Sequence, residues 1–277
     1  MTSLLKVRDR PKGVVNPAAA KKAFRLERYL PAPDLAAVVE YFWLVEWRLP
    51  DGASHVQRTL PSPCIHLVFD QGRTAVFGVM TGAFEYTQRG SGRVLGVRFR
   101  PGAFRAMLGK PVQTITDQTL RLSALFDCDE AQVEHAVLSA PDDAGMVAAA
   151  SALIRRVLPP ADPQVARIEA ILKIVGETPG LTRVEELAER AQLSMRRLQI
   201  LFKEYVGINP KWVIRRNRLL DAADQLSSGV EVNLSELALA LGYYDQAHFT
   251  SDFEKLVGKP PADYRRSCLA QGGDVTV

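Results

Sequence analysis

The sequence predicts an α+β fold: a β-rich N-terminal domain with flanking helices, followed by an all-α domain of two helix-turn-helix units joined by a linker helix. Three observations predict it. Short β-branched and aromatic runs cut by Gly and Pro fill residues 24–115. The texture turns Ala/Leu-rich and helix-like from Asp117 onward. A helical unit then occurs twice, as LAERAQLSMRRLQILFKEYVGINPKW and again as LALALGYYDQAHFTSDFEKLVGKPPADYRR.

Taken in order, the basic stretch MTSLLKVRDRPKGVVNPAAAKK lacks a long apolar run, so residues 1–23 are expected to be a flexible tail and not a secretory signal. In RVLGVRFRPGAF, Leu95, Val97 and Phe99 alternate with Gly96, Arg98 and Arg100, the pattern of a half-buried strand. TLRLSALFDCDEAQVEHAVLSA and GMVAAASALIRRVL read as helices closing a first domain over 24–158. PPADP, Pro159 to Pro163, stops a helix and marks the domain boundary. A second domain is expected over 163–268, with a frayed tail over 269–277.

Within that second domain, Thr182 and Glu185 have the spacing of a capping box at the first helix. Ser194 caps the helix that follows, which ends at Gly207. In the second unit Asn233 and Glu236 open the first helix and Gly242 takes the turn. Asp245 caps a helix ending near Val257, with Gly258 beyond it. Pro210 to Leu226 reads as the linker helix, with Pro in its first turn.

The two second helices differ in what they present outward. Leu198, Leu201, Phe202 and Tyr205 fall on one face as core, as do Phe249, Phe253 and Leu256. Arg196, Gln199, Ile200 and Lys203 lie at i, i+3, i+4 and i+7 and form one stripe. Arg can pair with guanine edges, Gln with adenine edges, and Ile can meet a thymine methyl in a major groove. The matching stripe of the second unit is Ala247, Thr250, Ser251 and Glu254, beside Gln246. Charge follows the same division. Ser194 to Arg218 carries Arg196, Arg197, Lys203, Lys211, Arg215, Arg216 and Arg218 against the single acid Glu204. Leu219 to Tyr264 carries Lys255 and Lys259 against eight acids. Duplex DNA is a polyanion, so the first unit suits it far better than the second.

These residues resemble the AraC/XylS family of bacterial transcription regulators. The resemblance rests on LAERAQLSMRRLQILFKEYVGINP and on LALGYYDQAHFTSDFEKLVGKPPADYRR. The latter has the family's Ala-x-x-x-Gly-Tyr corner, His-Phe, a later Phe, and Gly-x-x-Pro-x-x-Tyr-Arg. It implies a sequence-specific DNA-binding regulator, not an enzyme, whose first recognition helix reads bases through Met195, Arg196, Gln199, Ile200 and Lys203. Arg215, Arg216 and Arg218 would neutralise phosphates, and Gln246, Ala247, Thr250 and Ser251 would face DNA from the second unit. Ser251 and Glu254 depart from the basic side chains that relatives commonly place there. RYLPAPDLAAVVEYFWLVEW, LPSPCIHLVFD and VLGVRFRPGAFRAMLG are similar to the β-rich sensor domain of one branch. They imply a cupin-like domain that senses a small-molecule effector or forms a homodimer through the helices of residues 117–158. Double-stranded DNA is the expected partner, with RNA polymerase if the protein activates.

Other readings compete with this one. Net charge is only +4, and no run of eighteen apolar residues predicts a membrane span. Cys64, Cys128 and Cys268 share no metal-like spacing and suit a reducing cytoplasm. They cannot supply the four ligands of a zinc-dependent DNA alkyl-transfer protein, and His55 and His66 lack the His-x-His pattern of a cupin metalloenzyme. No cofactor or metal is expected. His248 is read as a packing or phosphate-contact residue and not a catalyst, Cys64 as a buried structural thiol, and Tyr41, Phe42, Trp43 and Trp47 as core in preference to an effector pocket. A helical protein-interaction module without a DNA role remains the third alternative.

Overall fold

The computed structural model describes residues 4–8, 23–228 and 231–271. Its first half is a six-stranded antiparallel sheet and a two-stranded ribbon. The strands are β1 (Phe24–Tyr29), β2 (Val39–Arg48), β3 (Ser54–Thr59), β4 (His66–Phe69), β5 (Ala75–Phe77), β6 (Phe84–Arg89), β7 (Ser91–Phe99) and β8 (Thr119–Leu120). The large sheet has the order β1-β2-β7-β4-β5-β8, and β3 pairs with β6. Alternation decides what each face meets. Phe42, Leu44, Leu67, Leu95, Val97 and Phe99 are buried on the helix side. On the other face Trp47 meets Tyr86 and Phe24 meets His55, so the β3–β6 ribbon closes over the sheet.

Helices then follow: α1 (Phe104–Leu108), α2 (Glu130–Leu138), α3 (Asp143–Arg155), α4 (Pro163–Glu177), α5 (Val184–Arg190), α6 (Met195–Leu201), α7 (Pro210–Ser227), α8 (Leu234–Ala240), α9 (Gln246–Val257) and α10 (Pro261–Gln271). Asp129, Asp142 and Asp162 cap α2, α3 and α4 by accepting backbone N–H groups, as short acidic side chains at that position do. α3 and α2 lie on the large sheet, held in part by the Arg25–Asp143 ion pair at 2.8 Å. α7 has 18 residues and so is about 27 Å long.

The structure adds to the sequence reading at four places. Residues 4–8 are not a loose tail. Val7 N donates to Arg28 O at 2.9 Å, Leu30 N donates to Leu5 O at 2.8 Å, and Lys6 pairs with Glu27 at 2.8 Å. The outer edge of β1 would otherwise leave its backbone groups unpaired, and this segment fills it; the rest of the expected tail lies outside the described residues. Residues 269–271 continue α10, and the rest of the expected C-terminal tail lies outside the described residues. The capping box at Thr182 does not form, because α5 starts later, with Arg183 at its N-cap and no side-chain cap. Finally, the prolines at 159–160 do end the helical run, but the apolar core does not divide there. One cluster runs from Tyr29 through Ile168, Leu198 and Phe202 to Ile214, and a second holds Leu219, Ala222, Leu226, Phe249 and Phe253. The division falls inside α7, which is a beam shared by both cores.

Candidate nucleic-acid interface

The first helix-turn-helix is α5 and α6. Ser194 Oγ accepts from Arg197 N at 3.2 Å and so fixes where α6 begins. Leu198, Leu201 and Phe202 are all at most 1% exposed and anchor the inner face. The helix continues through a π-helical turn, Phe202–Val206, and stops at Gly207 with φ +88°. Arg196, Gln199, Ile200 and Lys203 are exposed, and Met195 is half-buried beside them. None of the four exposed residues is held by an ion pair or a side-chain hydrogen bond among the described residues. Ile200 is an apolar side chain left 41% exposed in the middle of this polar stripe. The one acid of the segment, Glu204, is turned away and pairs with Arg105 of α1 at 3.1 Å. An unneutralised cationic stripe with a single apolar tip is suited to lie in a groove of a polyanion.

The linker helix departs from expectation. Arg215 is exposed, at 3.7 Å from Asp252. Arg216 turns inward, where its Nε donates to the Pro61 carbonyl. Loss of solvent, and then the nearby Arg98 charge, lower its pKa to about 10. Arg218 lies over the Tyr243 ring at 4.6 Å, with Nε and Nη2 buried and lacking hydrogen-bond partners. Burial lowers its pKa as well. Of the three arginines expected to meet phosphates, only Arg215 is presented. Arg218 and Arg216 flank Arg215 on the helix surface, and their guanidiniums are taken by Tyr243 and Pro61.

In the second unit Asp245 Oδ1 accepts from His248 N at 2.7 Å and starts α9. Gln246, Ala247, Thr250, Ser251 and Glu254 line one shallow depression along it. Gln246 is engaged by Ser235 Oγ at 2.7 Å. His248 is exposed and stands edge-on to Tyr243, 5.2 Å between ring centres. Sequence reasoning missed Asp252, 8% exposed, at the position where the first unit has the core residue Leu201. Tyr243 Oη lies 3.4 Å from its carboxylate and His248 Nε2 3.9 Å. Aligning the two units residue by residue would have exposed it, as an acid standing at a core position.

In the β-rich half, Phe42 and Trp47 are core, while Tyr41 and Trp43 are half-buried. Trp43 Nε1 donates to His66 Nδ1 at 3.2 Å, and enclosure followed by the Arg98 charge lowers the His66 pKa to about 3. Burial pushes the Cys64 thiol up. Among the described residues no group of three or more His, Cys, Asp or Glu could hold a metal ion, and no helix is long and apolar enough to cross a membrane.

Two family models match the chain. One is a helix-turn-helix domain over residues 187–267, and the other is a domain of unknown function (DUF6597) over residues 27–121. The chain is 31% identical over 85 residues to the probable transcription factor PqrA of Proteus vulgaris, covering 31% of this chain and 69% of that protein. It is 35% identical over 83 residues to a putative AraC-like transcription regulator of Streptomyces lividans, covering 30% of this chain and 27% of the relative. It is 30% identical over 98 residues to an uncharacterised helix-turn-helix-type transcriptional regulator of Haemophilus influenzae, covering 35% and 33%. The match thus spans a third or less of the length of these last two relatives.

Proposed function

The chain belongs to the AraC/XylS-type family of helix-turn-helix transcriptional regulators, and from that premise we propose that it reads DNA sequence chiefly through α6. The observation that carries this reading is the free stripe of Arg196, Gln199, Ile200 and Lys203. Arg196 and Gln199 contact base edges, Ile200 meets a thymine methyl, and Lys203 and Arg215 neutralise phosphates. α9, with Ala247, Thr250 and Ser251 outward and Glu254 repelling phosphate, contributes mainly position. Residues 163–268 form the DNA-binding part. Residues 24–158 form a cupin-like part that senses a small-molecule effector or pairs two copies through α2 and α3. An open surface groove bordered by Phe24, Trp47, Arg93 and Leu138 is the place in this half where binding of a small molecule would be sought first. RNA polymerase is the further partner where the protein activates, in the bacterial cytoplasm.

The test is to select bound sites from random duplex DNA with the full chain, then titrate variants on the selected site and its single-base changes. Arg196→Ala is expected to cost about 1–3 kcal/mol and to relax one base position, whereas Ala247→Ser changes little. Equal losses from α6 and α9 substitutions, or no duplex retained at low ionic strength, would overturn the reading.

A further inference from the structure

The β-rich half grips the C-terminal ends of both second helices, but by unequal means. At the first, Gly207 sits in the left-handed region, and a Cβ there would stand 2.8 Å from Val112 Cγ1. Thr116 Oγ1 donates to the Gly207 carbonyl at 2.6 Å, and the surrounding apolar residues belong to one continuous core with the sheet. At the second, Gly258 has φ +86°, and a Cβ there would fall 1.3 Å from Nη1 of Arg58, so the guanidinium occupies the space that the missing side chain leaves. Leu60, two residues on, is 7% exposed and is the one residue of the β-rich half among the buried members of the second core. Pro61 then takes the Arg216 hydrogen bond from α7.

We propose that Arg58 is a positioning residue for α9, and that the segment Arg58–Pro61 is a tether fixing the second helix-turn-helix relative to the first. The first unit is fused to the β-rich half through a shared core, so its place needs no tether. The second unit has its own core and hangs from the far half of α7. A beam held at one end permits the other end to swing; Arg58 and Leu60 contact the second unit from the β-rich half, and Pro61 contacts the beam itself. A cation suits the Arg58 position, because a helix C-terminus carries partial negative charge on its unpaired carbonyls. Glu85 steadies the same guanidinium from the ribbon at 3.3 Å. Arg58 is the fifth of the six residues of β3, the strand that closes over the aromatic face of the large sheet. A displacement of β3 would therefore be carried to α9 without passing through α6. The consequence for DNA rests on the reading proposed above; the tether does not.

Hydrogen exchange on the full chain without DNA tests it directly. Arg58→Ala is expected to speed exchange in α8, α9 and α10 by about tenfold or more while α4, α5 and α6 are unchanged, and Arg58→Lys to restore most of the protection. Leu60→Ala should act in the same direction, giving a second variant that does not touch the charge. Unchanged exchange in α8–α10 for both Arg58→Ala and Leu60→Ala, or an equal rise in both units, would overturn the tether. Neither result depends on whether the protein binds DNA.

Discussion

At the scale of single residues, the clearest physical commitment is His66. Its ring is neutral in the folded protein because it is enclosed, because Arg98 is near, and because Trp43 donates to Nδ1, leaving the proton on Nε2. The folded pKa, about 3, lies below the value of about 6.5 for a free imidazole. The unfolded chain therefore binds a proton that the folded one refuses, in the window between these two values. The stabilising contribution is complete above the unfolded pKa and is lost as pH falls through that window. His66→Gln should remove this part of the acid sensitivity, up to about 2 kcal/mol of the difference between pH 7 and pH 5. Urea unfolding of both proteins at the two pH values measures it, and parallel pH dependence in the two would refute it.

Elements tell where sequence reasoning succeeds. The caps at Ser194, Asn233 and Asp245 depend on four residues of chain each, so they were legible, and each accepts the expected backbone N–H. The proposed box at Thr182 failed because two adjacent starts were available, and the chain used the later one. Arg216 and Arg218 illustrate a different limit. Their charge was visible, but the side of α7 they occupy is set by Pro61 and Tyr243, which lie 155 residues before and 25 residues after. Ser194→Ala and Asp245→Ala should each cost about 1 kcal/mol, since one orphan N–H loses its acceptor. Arg183→Ala should cost less than about 0.5 kcal/mol, its side chain making only an exposed contact with Glu185. Denaturant midpoints of the three variants decide it, and a loss at Arg183 as large as at Ser194 would mean that the start of α5 has been misplaced.

For the whole molecule the proposed function raises the question of which charges would reach a duplex. Formal net charge is +4, too small to bind DNA by itself, so position must decide. The cations left outward by the fold around α6 and α7 are Arg196, Arg197, Lys203, Lys211 and Arg215, while the acid among them faces Arg105. The second unit presents Glu236, Asp245 and Glu254 outward. Attraction is thus concentrated at one end of α7, and the bound duplex is expected to lie against α6 first. Each phosphate contact contributes about 0.9 to the slope of log affinity against log salt. Lys203→Gln should lower that slope by about this amount, as should Arg215→Gln. Arg216→Gln and Arg218→Gln should leave it unchanged even where they weaken binding, because their guanidiniums are spent on Pro61 and Tyr243. Affinity titrations between low and moderate salt separate the two groups. A slope that falls for Arg216→Gln would mean that this arginine leaves Pro61 to reach a phosphate, and that the β-rich half lets go of α7 when DNA is bound.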